Sequence, residues 1–210
     1  LTVVADAKSM TYGANALPGL TYTPTGFVNG ETSSVLSGAL ATTATAYNGT
    51  AGSGSNAGTY PITVGTLSAG SNYAINYTGA NLTVNKAQLT ATGNSPSMTY
   101  GANSLPALSA SYSGYLNGDT SAAGLVGSPT LSTVATPYSG TPQSASNVGT
   151  YAVTTSVAGM SSTNYTFTPV NGTLTVNQAP ITVGGLTVSG KTYDGTSTAS
   201  IDLSGATYTG

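Results

Sequence analysis

The chain has 210 residues, 4% of them charged, with a net charge of −2 and no Arg, His, Cys or Trp. Its cations are Lys8, Lys86 and Lys191. Three lysines cannot build the stripe that neutralises a phosphate backbone or the polybasic patch that reads an anionic membrane, which excludes nucleic-acid binding and electrostatic membrane attachment. With no thiolate and no imidazole, disulfides and the usual zinc, copper and iron sites are excluded as well.

Ser and Thr make up about 31% of the chain and Gly contributes 28 residues, a composition that can signal disorder. Apolar residues nevertheless reach 39%, with 14 Tyr, and they fall in short alternating runs rich in Val, Thr, Tyr and Ile. That is strand chemistry punctuated by turns. No apolar run approaches the roughly 18 residues of a membrane span, so no membrane insertion by this segment is expected. In chain order, strands are expected over Leu1–Ala5, Leu20–Thr23, a run near Ala39–Ala46, Gly58–Leu67, Tyr73–Tyr77 and Asn81–Asn85. Gly-, Asn- and Pro-rich turns separate them. A short helical turn is expected over Glu31–Leu36 and no other helix.

The pattern then repeats. Ser9-Met10-Thr11-Tyr12-Gly13-Ala14-Asn15-Ala16-Leu17-Pro18 returns 88 residues later as Ser97-Met98-Thr99-Tyr100-Gly101-Ala102-Asn103-Ser104-Leu105-Pro106. Val28–Ser33 returns as Leu116–Ser121 at the same offset. Asn56-Ala57-Gly58-Thr59-Tyr60 returns as Asn147-Val148-Gly149-Thr150-Tyr151 at an offset of 91, and Leu82-Thr83-Val84-Asn85 as Leu174-Thr175-Val176-Asn177 at 92. The drift places insertions between Ser121 and Tyr138 and between Val153 and Asn164, where surface loops are expected. A period near 90 residues suits a self-contained β-sandwich better than a solenoid coil. The fold class expected is therefore all-β, with tandem Ig-like β-sandwich repeats forming an elongated rod. The domains are 1–87, 88–179 and the start of a third β repeat over 180–210. The joins, Asn85–Leu89 and Asn177–Ile181, are too short for a flexible linker, and Pro180 stiffens the second. At roughly 40 Å per unit, two units should extend to roughly 80 Å. A start in strand-like Leu1-Thr2-Val3-Val4, without a signal peptide, and an abrupt stop at Gly210 read as an internal piece of a longer polypeptide.

No constellation of residues reads as a site. Catalysis needs a nucleophile with a base, paired acids, or a metal. Here the usual base, His, is missing, and Asp6, Glu31, Asp119, Asp194 and Asp202 are scattered. No complete unit has the carboxylates that calcium prefers. The chain is therefore expected to be no enzyme, with no catalytic, cofactor-binding or metal residues and no cofactor. N-glycosylation triplets at Asn48, Asn76, Asn81, Asn164 and Asn171 are about as many as this composition yields by chance. Thr-x-Thr pairs such as Thr90/Thr92 form no regular ladder. The recurring Tyr12/Tyr100/Tyr193, Tyr47/Tyr138, Tyr60/Tyr151 and Tyr73/Tyr165 mark a shared structural task, a buried ring with a bonded tip. Tyr12, Tyr60, Leu82 and Val84, with Tyr100, Tyr151, Leu174 and Val176, are expected to be buried. The non-recurring Tyr22, Tyr77, Tyr112 and Tyr115 are the better candidates for exposed contacts.

The string Met-Thr-Tyr-Gly, Phe27-Val28-Asn29-Gly30-Glu31-Thr32, Ala57-Gly58-Thr59-Tyr60-Pro61-Ile62, Asn72-Tyr73 and Leu82-Thr83-Val84-Asn85-Lys86-Ala87 resembles an MBG repeat. The second unit carries it again, with Tyr115–Thr120 and Val148–Val153. Lys191-Thr192-Tyr193-Asp194-Gly195-Thr196-Ser197-Thr198-Ala199 resembles the start of a YDG repeat. Lys8 precedes the Tyr-Gly pair of the first unit, where the second has Pro96. The resemblance implies a secreted, extracellular home on the bacterial cell surface, in filamentous-haemagglutinin-like adhesins or biofilm-matrix proteins. It also implies a role as stalk or spacer, projecting a distal binding domain. The partners expected are the neighbouring repeats of the same chain. Extracellular polysaccharide, or other copies of the chain paired edge to edge into a matrix fibre, are the alternatives.

Overall fold

The computed structural model describes residues 1–120, 124–198 and 200–210. Ser121, which ends the Leu116–Ser121 string, and Ala199, which ends the Lys191–Ala199 string, lie outside the described residues. The protein is all-β, and no α-helix occurs among the described residues. In the first repeat the strands are β1 (Thr2–Ala5), β2 (Lys8–Thr11), β3 (Tyr22–Thr25), β4 (Ala41–Thr42), β5 (Gly58–Thr63), β6 (Asn76–Thr78) and β7 (Ala80–Asn85). The helical turn expected over Glu31–Leu36 is a 3-10 turn, Ser33–Val35, whose N-cap Thr32 accepts from the Ser34 N–H. The second repeat holds β8 (Ala87–Gly93), β9 (Ser97–Thr99), β10 (Ala110–Ser113), β11 (Leu125–Val126), β12 (Thr130–Thr133), β13 (Gly149–Ser156), β14 (Ser161–Ser162), β15 (Tyr165–Val170) and β16 (Gly172–Asn177). Beyond it lie β17 (Thr182–Gly184), β18 (Thr187–Val188), β19 (Ile201–Asp202) and β20 (Thr207–Thr209).

Both repeats follow one strand order. A three-stranded sheet runs β3-β1-β6 in the first and β10-β8-β15 in the second, and a four-stranded sheet runs β2-β7-β5-β4 and β9-β16-β13-β12. In each, the opening strand takes an antiparallel partner on one side and a parallel partner on the other. Alternation explains the faces. In β7 the residues Leu82 and Val84 point inward while Thr83 points out, and in β16 Leu174 and Val176 do the same. The strand missing from the sequence reading, β2, has one apolar residue, Met10, and pairs in parallel with β7. Two of the three prolines within strands sit at sheet edges. Pro24 and Pro169 lie in the edge strands β3 and β15.

The insertion between Val153 and Asn164 is not wholly a loop. It lengthens β13 to eight residues against six in β5, and the turn Val157–Met160 follows. The other insertion, before Tyr138, is likewise only partly loop, because β11 and β12 fall within that stretch.

Packing divides the chain into two compact units. One comprises residues 1–93, 109–131 and 154–171, and the other residues 94–108, 132–153 and 172–210. The first unit takes the whole first repeat together with the three-stranded sheet of the second. Its core gathers Val3 from β1, Ile62 from β5, Leu82 and Val84 from β7, Ala87 and Leu89 from β8, and Tyr12 and Tyr165. A single residue, Lys86, separates β7 from β8, so the register of one sheet is handed directly to the next. The second unit buries Met98, Ala135, Val153, Leu174 and Val176.

Several tyrosines depart from expectation. Tyr100 is exposed (39%), although its counterpart Tyr12 is buried (2%). Tyr60 and Tyr151 are half-buried, because each hydroxyl reaches out to a carbonyl four residues back, Asn56 and Asn147, at 2.9 and 2.8 Å. Tyr22, Tyr77, Tyr112 and Tyr115 are not exposed contacts but half-buried rings against the core. Tyr22 and Tyr112 lie opposite Ala5 and Ala91 across the ladder, where a small neighbour leaves room for a ring. Tyr77 is tied by its hydroxyl to the Ile62 carbonyl at 2.8 Å.

Candidate functional site

The densest polar cluster lies inside the first unit, where the first repeat meets the second. Its foundation is a two-residue turn, Leu116-Asn117-Gly118-Asp119, closed by Asp119 N–H on the Leu116 carbonyl at 2.9 Å. Asn117 and Gly118 have φ of 55° and 73°, the positive-φ pair of a type I′ turn, which Asn-Gly adopts with least strain. Tyr165 braces this turn. Its hydroxyl accepts from Leu116 N–H at 2.9 Å and donates to the Asp119 carboxylate at 2.8 Å.

Tyr12 enters from the first repeat. Its backbone N–H continues the ladder on the Asn85 carbonyl, which carries its ring past the end of β2. The Tyr12 hydroxyl donates to the same Asp119 oxygen at 2.8 Å and accepts from Asn117 Nδ2 at 3.0 Å. The two phenol rings meet edge to face, centroids 5.5 Å apart, and Tyr115 continues the stack on Tyr165 at 6.0 Å. Asn117, buried to 2% exposure, also accepts from Gly54 N–H at 2.9 Å and donates to the Gly54 carbonyl at 3.3 Å. Its backbone carbonyl accepts from Gly52 at 2.9 Å. The contact is close enough to demand glycine: a Cβ on residue 54 would stand 2.9 Å from Asn117 Oδ1, and one on residue 118 would stand 2.7 Å from Ala51 Cα. At the margin Asn164 accepts from Ala57 N–H at 2.9 Å and donates to Asn56, and Lys86 donates to the Ser162 carbonyl at 2.7 Å.

Burial pushes the pKa of Tyr12 and Tyr165 up, and in each the bond and charge of Asp119 add to the rise. Both phenols therefore keep their protons as donors. With Asn117, they hold the first repeat against the turn of the second.

The remaining candidate residues lie apart. Asp6 takes the Thr21 hydroxyl, Glu31 the Tyr73 hydroxyl, and Asp202 the Ser204 N–H at 2.8 Å. Lys191 forms an ion pair with Asp194 at 2.7 Å and donates to the Thr196 and Thr198 carbonyls at 3.0 and 2.9 Å, which staples one exposed turn beside a cleft. That bond, with those from Thr196, lowers the Asp194 pKa. Among the described residues no group of three or more Asp, Glu, His or Cys is placed to hold a metal. Of the glycosylation triplets, Asn164 is committed to the joint, Asn171 accepts from Thr155 N–H at 2.9 Å, and Asn48 closes its own turn on Thr50.

The sequence reading did not single out Asn117 and Asp119. The signal was present, since the string holding them recurs together with the Tyr-Gly pair that covers it.

The parts of the joint exist a second time, uncovered. In the first repeat Val28-Asn29-Gly30-Glu31 forms the same turn, with φ of 53° at Asn29 and 72° at Gly30. Tyr73 braces it through the Val28 N–H at 3.0 Å and Glu31, with Phe27 where the second repeat has Tyr115. Asn29 and Gly30 are exposed.

Strand order, repeat period and joint together define an all-β protein of tandem repeats. The family model for the MBG domain (YGX type) matches residues 1–83 and 89–175, and the chain belongs to that family. This membership is consistent with an extracellular repeat region of a surface protein. No curated protein and no solved structure matches the chain.

Proposed function

We propose that this chain is a length of stalk from a secreted bacterial surface adhesin, made of Ig-like β-sandwiches set end to end into a rod, and that it has no catalytic role. The domains of that rod are 1–87, 88–179 and a YDG-like repeat beginning at 180. The observation that carries the reading is the Tyr12–Asn117–Asp119–Tyr165 joint. A linker would leave neighbouring repeats free to swivel, whereas buried directional bonds resist it. Low charge adds a second property. A rod whose joint has a single carboxylate, Asp119, held among hydroxyl donors and apolar rings changes little with ionic strength, which suits a spacer outside the cell.

An eight-residue strand such as β13 spans roughly 26 Å, and with turns a repeat reaches roughly 40 Å. Small-angle scattering on the 210-residue chain should return a maximum dimension of at least roughly 80 Å, unchanged by a calcium chelator. A compact particle, or an extended one that collapses on chelation, would overturn the ion-independent stalk.

A further inference from the structure

Each repeat begins and ends on strands that run side by side in the same direction. In the first, β1 pairs in parallel with β6, and β2 with β7. Thr2 faces Asn76 and Thr11 faces Asn85, so the register stays at 74 residues while the pair steps from the three-stranded sheet to the four-stranded one. Only Asp6 and Ala7 on one side and Gly79 on the other lie at the step. Asn76 N–H on the Leu1 carbonyl and Tyr12 N–H on the Asn85 carbonyl, each at 2.8 Å, extend the ladder at its two ends. Val3, Ala5, Leu82 and Val84 are buried beneath it, so no water stands on that face to replace a strained bond. The second repeat is built the same way. β8 pairs with β15 and β9 with β16, at one register of 78 from Ala87 and Tyr165 to Thr99 and Asn177. Side chains tie that ladder further. Gln88 Nε2 donates to the Thr168 hydroxyl at 2.6 Å, and the Thr166 hydroxyl donates to the Ala87 carbonyl at 3.2 Å.

We propose that this pairing is a mechanical clamp, in which each repeat carries tension by shear of its first strands against its last; its use rests on the stalk reading, its strength on the strand pairing alone. Tension enters the first repeat at Thr2 and leaves it at Asn85. Parallel strands put those two residues at opposite ends of the ladder, roughly 30 Å apart at about 3.3 Å per residue. The pull therefore slides one strand along the other, and the evenly spaced bonds of a parallel ladder share it. Antiparallel terminal strands would place both anchor points at one end, and the bonds would open in turn. Parallel pairing is slightly less stable per residue, so equilibrium stability gives no reason to find it at the termini of both repeats. Resistance to force does give one. Forced unfolding follows the unfolding rate, and bonds loaded together leave no route that breaks them singly. Lys86 alone joins β7 to β8, so tension leaving one clamp enters the next without a slack linker.

The test is single-molecule force spectroscopy on the full chain. The sequence has no Cys, so introduced thiols fix the anchor points. Thr2→Cys with Asn85→Cys grips the ladder at opposite ends and loads it in shear. Thr11→Cys with Asn85→Cys grips it at one end and opens it pair by pair. At one loading rate the first geometry should need at least about twofold more force than the second. Thr11 and Asn85 are exposed and Thr2 is half-buried, so the substitutions leave the core intact. The unsubstituted sequence, pulled by its two ends, should give sharp force peaks and serves where a variant fails to fold. Equal forces in the two geometries, or a smooth extension of the unsubstituted chain, would overturn the clamp. A compact particle in scattering that still resists shear would overturn the stalk and leave the clamp standing. An extended particle with equal forces would do the reverse.

Discussion

Asn29 and Asn117 occupy the same turn in the same backbone geometry, yet one is exposed and the other is buried to 2%. The bracing tyrosines differ in the same sense, Tyr165 buried and Tyr73 half-buried. Backbone geometry does not separate the two turns. What separates them is Tyr12 and the Gly52–Gly54 loop, which lie more than sixty residues away from Asn117 in sequence and cover only the second turn. Each repeat thus carries a finished socket, its Asn-Gly turn, and a finished knob, its Tyr-Gly loop. Whether a polar residue counts as surface or as core depends on its neighbour.

The largest expected break of this symmetry is at the knob. Truncating the buried Tyr12 to Ala removes a ring from the core cluster and should cost about 3–5 kcal/mol. Tyr100→Ala, at the same repeat position, should cost a small fraction of that, because its ring already meets solvent. Urea denaturation of both variants compares them directly, and equal losses would mean that the two knobs do the same structural work. Tyr60→Ala, at a half-buried ring, should fall between them.

The socket gives a cleaner comparison. Replacing Asn117 with Gly keeps the positive φ without strain and deletes only the side-chain bonds to Tyr12 and Gly54. The orphaned partners are buried, so a loss of about 1–3 kcal/mol is expected. Asn29→Gly removes an exposed side chain and should leave the monomer's denaturation midpoint unchanged. If both variants lost stability alike, the effect would belong to the turn and not to the joint.

Much of this was legible in the residues and some was not. The Leu-x-Val alternation of β7 and β16 and the constant offsets of the Tyr-Gly and Asn-Gly strings sufficed for two repeats of one all-β topology. β2 escaped because Lys8, Ser9 and Thr11 leave Met10 as its single apolar residue, and its pairing with β7 is non-local. The exposure of Tyr100 escaped for a related reason. Recurrence marks equivalent positions, but burial of a terminal ring needs a neighbour, and no repeat pattern states which end of a unit is covered.

Alkali should act on the closed joint. Burial first, and then Asp119, raise the pKa of Tyr12 and Tyr165 above the ordinary value of about 10. Below that pH both are protonated whether folded or not, and their contribution is complete. Above it the unfolded chain loses the protons first, so stability falls as pH rises toward the folded values. With no His in the chain, the urea midpoint should be nearly flat from about pH 6 to 9 and should drop above about pH 10. Tyr165→Phe should start less stable and lose less in alkali. A midpoint that falls steeply below pH 9 would contradict the assignment.

The smallest effect is predicted where the turn of the second repeat carries a hydroxyl that the first lacks. Tyr115 stacks on Tyr165 as Phe27 stacks on Tyr73, with centroids 6.0 and 6.1 Å apart and nearly perpendicular rings in both. The difference is a hydroxyl, and the Tyr115 oxygen is buried with no hydrogen-bond partner among the described residues. The first repeat builds its socket without that oxygen, so the stack itself does not require it. A buried hydroxyl that makes no bond loses its hydration on folding and recovers little. Tyr115→Phe should therefore be neutral or stabilising, by no more than about 1 kcal/mol. Tyr165→Phe, which removes the bonds to Leu116 and Asp119, should be clearly destabilising. Thermal unfolding of the two variants side by side checks the pair. A substantial loss from Tyr115→Phe would reveal a partner for that hydroxyl and would make the second socket chemically different from the first, not merely covered.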